Sequence, residues 1–186
     1  MSVGPVATEA ERIRRDARLV LSAAEVDAVI VGLAARVAAE LALRRPVVLP
    51  VMLGGAFTAF GLCRHFDFAY EIDYLHVSRY GESLAGGELV WRSRPRLALE
   101  GRSVLLVDDV LDRGLTLRAV IDELEQLGPA SIHTAVLVSK DVTDARSRPA
   151  PDFVGVNCPD VYLFGCGMDY KGYWRGLPAL YAVKEA

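Results

Sequence analysis

Cysteine is scarce in this chain: three among 186 residues, at Cys63, Cys158 and Cys166, with no CxxC pair. That count and spacing support neither a disulfide framework nor a zinc site, and they suit small apolar fillers in a reducing compartment. Long hydrophobic runs are lacking too. The first twenty residues, MSVGPVATEAERIRRDARLV, mix acids with arginines and contain no apolar segment of the signal-peptide kind, so a cytoplasmic location without membrane insertion is expected. Charge of one sign is also missing. Lys and Arg number 21 against 24 Asp and Glu, a net of −3, which provides no global attraction to nucleic acid or anionic lipid. The short stretch RSRPR, Arg92 to Arg96, is a local basic exception. Neither GxxxxGK(S/T) nor GxGxxG occurs, so P-loop nucleotide hydrolysis and dinucleotide redox chemistry lose their usual signatures. Internal repeats and low-complexity tracts are absent.

What remains is ordinary globular material: 52% hydrophobic and 24% charged residues, in a chain long enough for one domain with a substantial core. Ser22 followed by Glu25 predicts a capping box, opening a helix from Ala23 to about Leu43 that stops before Pro46. Val26, Val29, Ile30, Leu33, Val37 and Leu41 recur along it at helical spacing. VVLPVML, Val47 to Leu53, reads as a buried strand, broken by Gly54 and Gly55 before an apolar helical stretch from Ala56 to about Phe66. YEIDYLHVSRY, Tyr70 to Tyr80, reads as a strand, GESLAGGE as a polar loop and GGELVW as a short return strand. Thr116 to Leu127 is amphipathic and stops at Gly128-Pro129. HTAVLVSK, DFVGVNCP, VYLFGCG and LYAV complete the strands. Alternating strand and helix predict an α/β fold, a mostly parallel twisted sheet flanked by helices.

The chemistry concentrates in VLLVDDVLDRGLTL, residues 104 to 117. Val104 to Val107 form a continuous apolar run, the mark of a strand covered on both faces, and Asp108, Asp109 and Asp112 follow at its carboxyl end. Ligands of open α/β sheets bind at that end. DRGLT then leads into a helix, so the amides of Arg113, Gly114, Leu115 and Thr116 form a candidate anion site. Two carboxylates suit a sugar diol or a Mg²⁺ ion beside such an anion. Phosphate, diol and metal together describe a phosphorylated ribose. The same acids would serve equally as caps of a helix and its surface loop.

This block resembles the phosphoribosyl-pyrophosphate (PRPP) motif of type I phosphoribosyltransferases. MLGGA, Met52 to Ala56, is similar to the pyrophosphate-binding first loop of the hypoxanthine-guanine branch, and YEIDYLHVSRYG to the segment entering its mobile catalytic loop. Lys140, VYLFGCGMDY (Val161 to Tyr170) and Arg175 in YWRGLP match its base-reading lysine, its base-stacking and metal-binding stretch, and its pyrophosphate-binding arginine. The likeness runs in order from about residue 46 to 184. It implies one phosphoribosyltransferase domain over residues 1–186, with a core of about 46–150 beneath a small hood formed by about 1–20 and 151–186. It also implies the activity: transfer of 5-phosphoribose from PRPP to N9 of hypoxanthine or guanine, giving a nucleoside monophosphate and pyrophosphate, with Mg²⁺ as cofactor.

By the same resemblance, Asp112 is the proton partner of purine N7. Asp108 and Asp109 hold the ribose hydroxyls and a metal, and Asp169 contributes to a second metal. Arg113, Gly114, Leu115 and Thr116 take the 5′-phosphate, while Gly54, Gly55 and Arg175 take the pyrophosphate. Lys140 donates to O6, Tyr162 stacks on the purine, and backbone near Leu163 together with Asp169 reads the 2-position. Ser78, Arg79 and Tyr80 belong to the lid, and a homodimer or homotetramer is expected. Taken singly, Lys140 also reads as a solvated strand-end lysine, Tyr162 as a core aromatic, and Arg175 as packing on Trp174. Two positions depart from the family pattern. Arg113 stands where a small hydroxyl residue is usual, and Gly54 where many relatives carry a cation, leaving only backbone contacts there, through a strained or cis peptide at Leu53-Gly54. Xanthine preference, or a non-catalytic regulatory protein on the same scaffold, are the competing readings.

Overall fold

The computed structural model of the protein describes residues 5–80, 88–142 and 148–184. Helix α1 (Pro5–Asp16) and strand β1 (Arg18–Leu21) come first, and α2 (Ala23–Leu41) leads into β2 (Val47–Met52). Helix α3 (Gly55–Cys63) follows, then β3 (Glu71–Ile72), β4 (Leu75–Tyr80), β5 (Glu88–Ser93), β6 (Ser103–Leu111) and α4 (Leu115–Glu125). Strands β7 (Ser131–Asp141), β8 (Phe153–Pro159), β9 (Leu163–Phe164) and β10 (Leu180–Ala182) close the chain. The central sheet has the order β5-β4-β2-β6-β7-β8, with β3 paired beside β2. All its pairings are parallel except β4 with β5.

Side-chain alternation explains how one sheet supports two apolar layers. Val48, Leu105, Val107, Ala135 and Leu137 face α2 and α3, packing on Val26, Ile30, Leu33, Val37, Ala59 and Leu62. Val47, Leu49, Val51, Val104, Leu106 and Val136 face the other way, onto Leu117, Val120 and Leu124 of α4. Both neighbours of each pair are covered, so β2, β6 and β7 read as continuous apolar runs. The capping box forms as expected: Ser22 Oγ accepts from the Glu25 amide at 3.3 Å, and Glu25 Oε2 accepts from the Ser22 amide at 2.7 Å.

Several expected boundaries shift. Strand β6 does not stop at Val107 but runs through both acids to Leu111, because the long β7 pairs with it as far as Leu111 opposite Ser139. Tyr70 to Tyr80 is two strands. Asp73 interrupts them, its carboxylate accepting from the amides of Tyr74, Arg96 and Leu97 at 2.9, 2.5 and 2.9 Å, which ties the connection to a distant loop. Ser78, Arg79 and Tyr80 accordingly lie in β4, opposite Val90, Leu89 and Glu88 of β5, rather than in a loop. The remainder of that expected mobile loop, 81–87, lies outside the described residues. The non-proline cis peptide is Met52-Leu53, one bond earlier than expected.

A second, three-stranded antiparallel sheet, β1-β10-β9, joins the two ends of the chain. Phe164 stacks on Tyr181 at 5.5 Å, and the Arg14 guanidinium sits 4.0 Å from the same ring while donating to its hydroxyl at 2.9 Å. Helix α1, which the mixed charges of the N-terminus left without an expected structure, docks here through Ala10 and Ile13. Among the described residues no helix is long and apolar enough to cross a membrane.

Leu106 is fully buried between β2, β7 and α4. Leu106→Ala is expected to lower unfolding free energy by about 2–5 kcal/mol, read as a shifted urea midpoint at unchanged slope; an unmoved midpoint would contradict the two-layer core.

Candidate active site

The carboxyl ends of β2, β6 and β7 carry most of the residues singled out from sequence. Asp108 and Asp109 lie within the last turns of pleat of β6, and each carboxylate folds back onto its own strand. Asp108 Oδ1 accepts from the Asp109 amide at 3.0 Å, and Asp109 Oδ1 from the Val110 amide at 2.7 Å. Asp109 is 7% exposed. Burial pushes the Asp108 carboxyl well above the ordinary carboxylate range, and the neighbouring Asp109 charge pushes it further. Burial likewise raises Asp109, against the pull of the Val110 amide and the Arg175 guanidinium. The two titrate as a pair.

Space for Asp109 exists because two glycines lack a Cβ. A Cβ on Gly54 would overlap the Asp109 carboxylate, and one on Gly167 would overlap the Gly54 carbonyl and come 3.1 Å from the Asp109 Cβ. Gly54 itself has φ −60°, so close approach and not backbone conformation demands glycine there. Gly55 packs equally tightly, on the Val107 carbonyl and the Asp108 backbone. Gly167, which sequence reasoning did not single out, is at φ +104° and sits in the loop between β9 and β10.

That loop also presents Asp169 and Arg175, and Tyr162 meets it from the residue just before β9. Arg175 Nη2 pairs with Asp169 Oδ1 at 2.5 Å, and its Nη1 donates to the Gly167 carbonyl at 2.7 Å. Asp169 is therefore already engaged, its second oxygen accepting from the Gly172 amide at 2.6 Å. Tyr162 is 52% exposed, donates to the Asp169 carbonyl at 3.2 Å and meets Tyr170 edge-on at 5.5 Å. Its carbonyl accepts from Val183 at 2.9 Å, and Leu163 is a core residue of β9. Arg175 makes polar contacts rather than merely packing on Trp174, whose indole instead donates to the Ala10 carbonyl at 2.9 Å.

A second cluster forms where β6 and β7 end. Lys140 Nζ lies 3.1 Å from Asp112 Oδ2 and 3.4 Å from Asp160 Oδ1, with its side chain 12% exposed. Asp160 was not visible in the sequence as a partner, since only the fold brings the end of β8 beside β7. Helix α4 starts immediately beyond, at Gly114, with no side-chain cap and no acid in its first turn. Arg113 is exposed there, and Leu115 is 41% exposed. An uncapped helix start suits an anion. The geometry thus provides a half-buried and a buried acid side by side, an uncapped helix terminus, an arginine, and a lysine–aspartate pair at one end of the sheet.

Comparison with known proteins agrees. The phosphoribosyl transferase domain family matches residues 21–171. A hypoxanthine-guanine-xanthine phosphoribosyltransferase of Tritrichomonas foetus is 32% identical over 143 residues, 77% of this chain and 78% of that protein. A hypoxanthine-guanine phosphoribosyltransferase of Aquifex aeolicus is 32% identical over 170 residues, 90% of this chain and 95% of its own. A solved hypoxanthine-guanine-xanthine phosphoribosyltransferase superposes with TM-score 0.83 at 28% identity, covering 92% of this chain and 99% of that one.

The raised Asp108 and Asp109 values have a stability consequence. A carboxyl whose folded pKa exceeds its unfolded one favours the native state only at low pH, and that contribution is lost as pH rises from the unfolded value through the folded one. Asp108→Asn is therefore expected to melt higher than wild type at neutral pH, the difference shrinking as pH falls toward the ordinary carboxylate range. Thermal melts from pH 4 to 8 test this; a lower melting temperature for the variant at pH 7 would overturn the assignment. The matched residues, the sheet order and the acid pair at the end of β6 place this chain in the phosphoribosyltransferase family.

Proposed function

We propose that the protein is a purine-salvage 6-oxopurine phosphoribosyltransferase, joining the 5-phosphoribosyl group of PRPP to hypoxanthine or guanine. The observation that carries the base assignment is the Lys140–Asp112 pair, an ammonium and a carboxylate 3.1 Å apart at adjacent strand ends. O6 and N7 are neighbours on one edge of a 6-oxopurine. A donor and an acceptor side by side match an O6 acceptor and an N7–H donor. Adenine would turn its 6-amino donor toward the ammonium, and neither group can accept.

In the reaction, the N9 lone pair forms a bond to ribose C1′ while the C1′–oxygen bond breaks and pyrophosphate leaves with the bonding electrons. The proton released from N7 passes to Asp112. Arg175 faces the departing anion. Asp108 and Asp109 accept from ribose hydroxyls, and Gly54, Gly55 and the α4 terminus (Arg113, Gly114, Leu115, Thr116) offer backbone donors to pyrophosphate and 5′-phosphate. Tyr162, half exposed just before β9, stacks on the base, with Leu163 backbone and Asp169 beside its 2-position.

Mg²⁺ fits as a cofactor. No group of three or more His, Cys, Asp or Glu side chains suited to a metal occurs among the described residues, but Mg²⁺ is commonly held by one or two carboxylates with substrate oxygens and water. Asp108 and Asp109, buried together at a cost in charge, are the donors such an ion would satisfy, with Asp169 supporting a second through water. When bound, Mg²⁺ supplies positive charge to the leaving pyrophosphate. The reading includes a cytoplasmic enzyme assembled as a homodimer or homotetramer.

The test is a spectrophotometric assay of the protein with PRPP and Mg²⁺ against hypoxanthine, guanine, xanthine and adenine. Nucleotide forms with the 6-oxopurines and not with adenine. Asp112→Asn keeps the fold and lowers kcat by about 10²–10⁴-fold, and Lys140→Met erodes the preference for hypoxanthine over adenine. PRPP binding without turnover on any base would favour the regulatory alternative instead.

A further inference from the structure

Arg148 carries no role in the scheme above, yet it touches the two strand ends that bear the base-reading pair. Its Nη1 donates to the Lys140 carbonyl at 2.7 Å, and its Nη2 donates to the Leu111 carbonyl at 2.6 Å and to Ser139 Oγ at 2.9 Å. Leu111 immediately precedes Asp112, and Leu111 opposite Ser139 is the last registered pair between β6 and β7. Beyond that pair no ladder fixes how the two strand ends sit relative to one another. The guanidinium takes over where the ladder stops. A planar fork with fixed donor directions suits this better than a flexible ammonium.

Two further features mark the position as built. The stem lies against the phosphate loop, where a Cβ on Gly114 would come 3.0 Å from Arg148 Cγ and 2.7 Å from Pro149 Cδ. The three acceptors are all uncharged, and Nε is buried without a partner among the described residues. A brace serving stability alone would gain from a carboxylate partner for a buried cation. Here no carboxylate partner of Arg148 occurs among the described residues, behind the loop that faces an anion.

We propose that Arg148 is a positioning residue for base recognition, holding the backbones of Leu111 and Lys140 so that the Asp112 carboxylate and the Lys140 ammonium meet the purine edge together. The proposal rests on the 6-oxopurine reading above. Displacement of reacting groups by about 1 Å costs up to about 100-fold, so a loosened clamp reports in binding of the base.

The experiment compares the full-length wild type with Arg148→Lys and Arg148→Met, each first checked by thermal melting. KM and kcat are then measured for hypoxanthine and PRPP, with the ratio of kcat/KM for hypoxanthine over adenine. Arg148→Met is expected to raise the hypoxanthine KM by roughly 10–100-fold and to narrow the base preference by a similar factor. Arg148→Lys keeps the charge but cannot span three acceptors, so it retains the wild-type KM for PRPP while sharing the rise for hypoxanthine. A structural brace predicts otherwise: less folded protein and lower apparent kcat, with KM and base preference unmoved. That pattern in Arg148→Met, or in Arg148→Lys if the first does not fold, overturns the proposal. An inactive wild type removes the 6-oxopurine reading and the positioning role with it, whereas an active wild type with indifferent variants removes the role of Arg148 alone.

Discussion

Everything at the ligand end of this sheet depends on withdrawing two consecutive carboxylates from water, Asp108 half-buried and Asp109 buried, near the end of its central strand. Desolvation makes that arrangement costly, and the offsets are local: one strand amide for each carboxylate and the nearby charge of Arg175. The steric demand is as strict as the electrostatic one. Gly54 and Gly167, from segments far apart in the chain, present no Cβ to Asp109 where it lies. The first loop, the acid pair and the hood loop are therefore one packed unit, and the hood cannot shift relative to the sheet without disturbing the acids.

The hood loop is itself held from outside the catalytic face. Arg175 bridges Asp169 and the Gly167 carbonyl, while Trp174 donates to Ala10 and Tyr170 and Lys171 both reach Glu9. Helix α1 is thus a strap across the loop whose Asp169 carbonyl and Tyr170 ring meet the half-exposed Tyr162. A group proposed to contact the base is positioned by residues at the opposite end of the chain.

The site divides into electrostatically distinct halves, and the division suits two unlike substrates. Lys140 is paired with Asp112 and Asp160 within the protein, presenting a donor beside an acceptor, which matches a polar purine. Asp108 and Asp109 instead crowd two carboxyls whose ionisation desolvation opposes and the nearby Arg175 charge favours. Such a surface favours a polyanion that arrives with its own divalent counter-ion over a neutral ligand. A free protein carrying strained electrostatics at this point trades stability for binding.

Local order was readable from the residues themselves. The apolar runs of β2, β6 and β7 announce strands covered on both sides, Ser22 and Glu25 announce the start of α2, and the acids with Gly114 announce the ligand end, because each depends only on neighbours in sequence. Contacts between distant segments were not readable. No periodicity shows that Asp160 pairs with Lys140, that Arg148 clamps Leu111 to Lys140, or that Gly54 and Gly167 close around Asp109; these follow from how β6, β7 and β8 register and where the hood loop lands. Asp73, too, looked like one more strand residue until the fold supplied three amides for its carboxylate. The sequence by itself determined the apolar core strands, the start of α2 and the chemical types at the sheet's end, while α1, the break at Asp73 and the length of β6 waited on tertiary contacts. Tertiary structure alone decided their distances and partners, since charge pairing and close packing depend on separations in space that chain order does not encode.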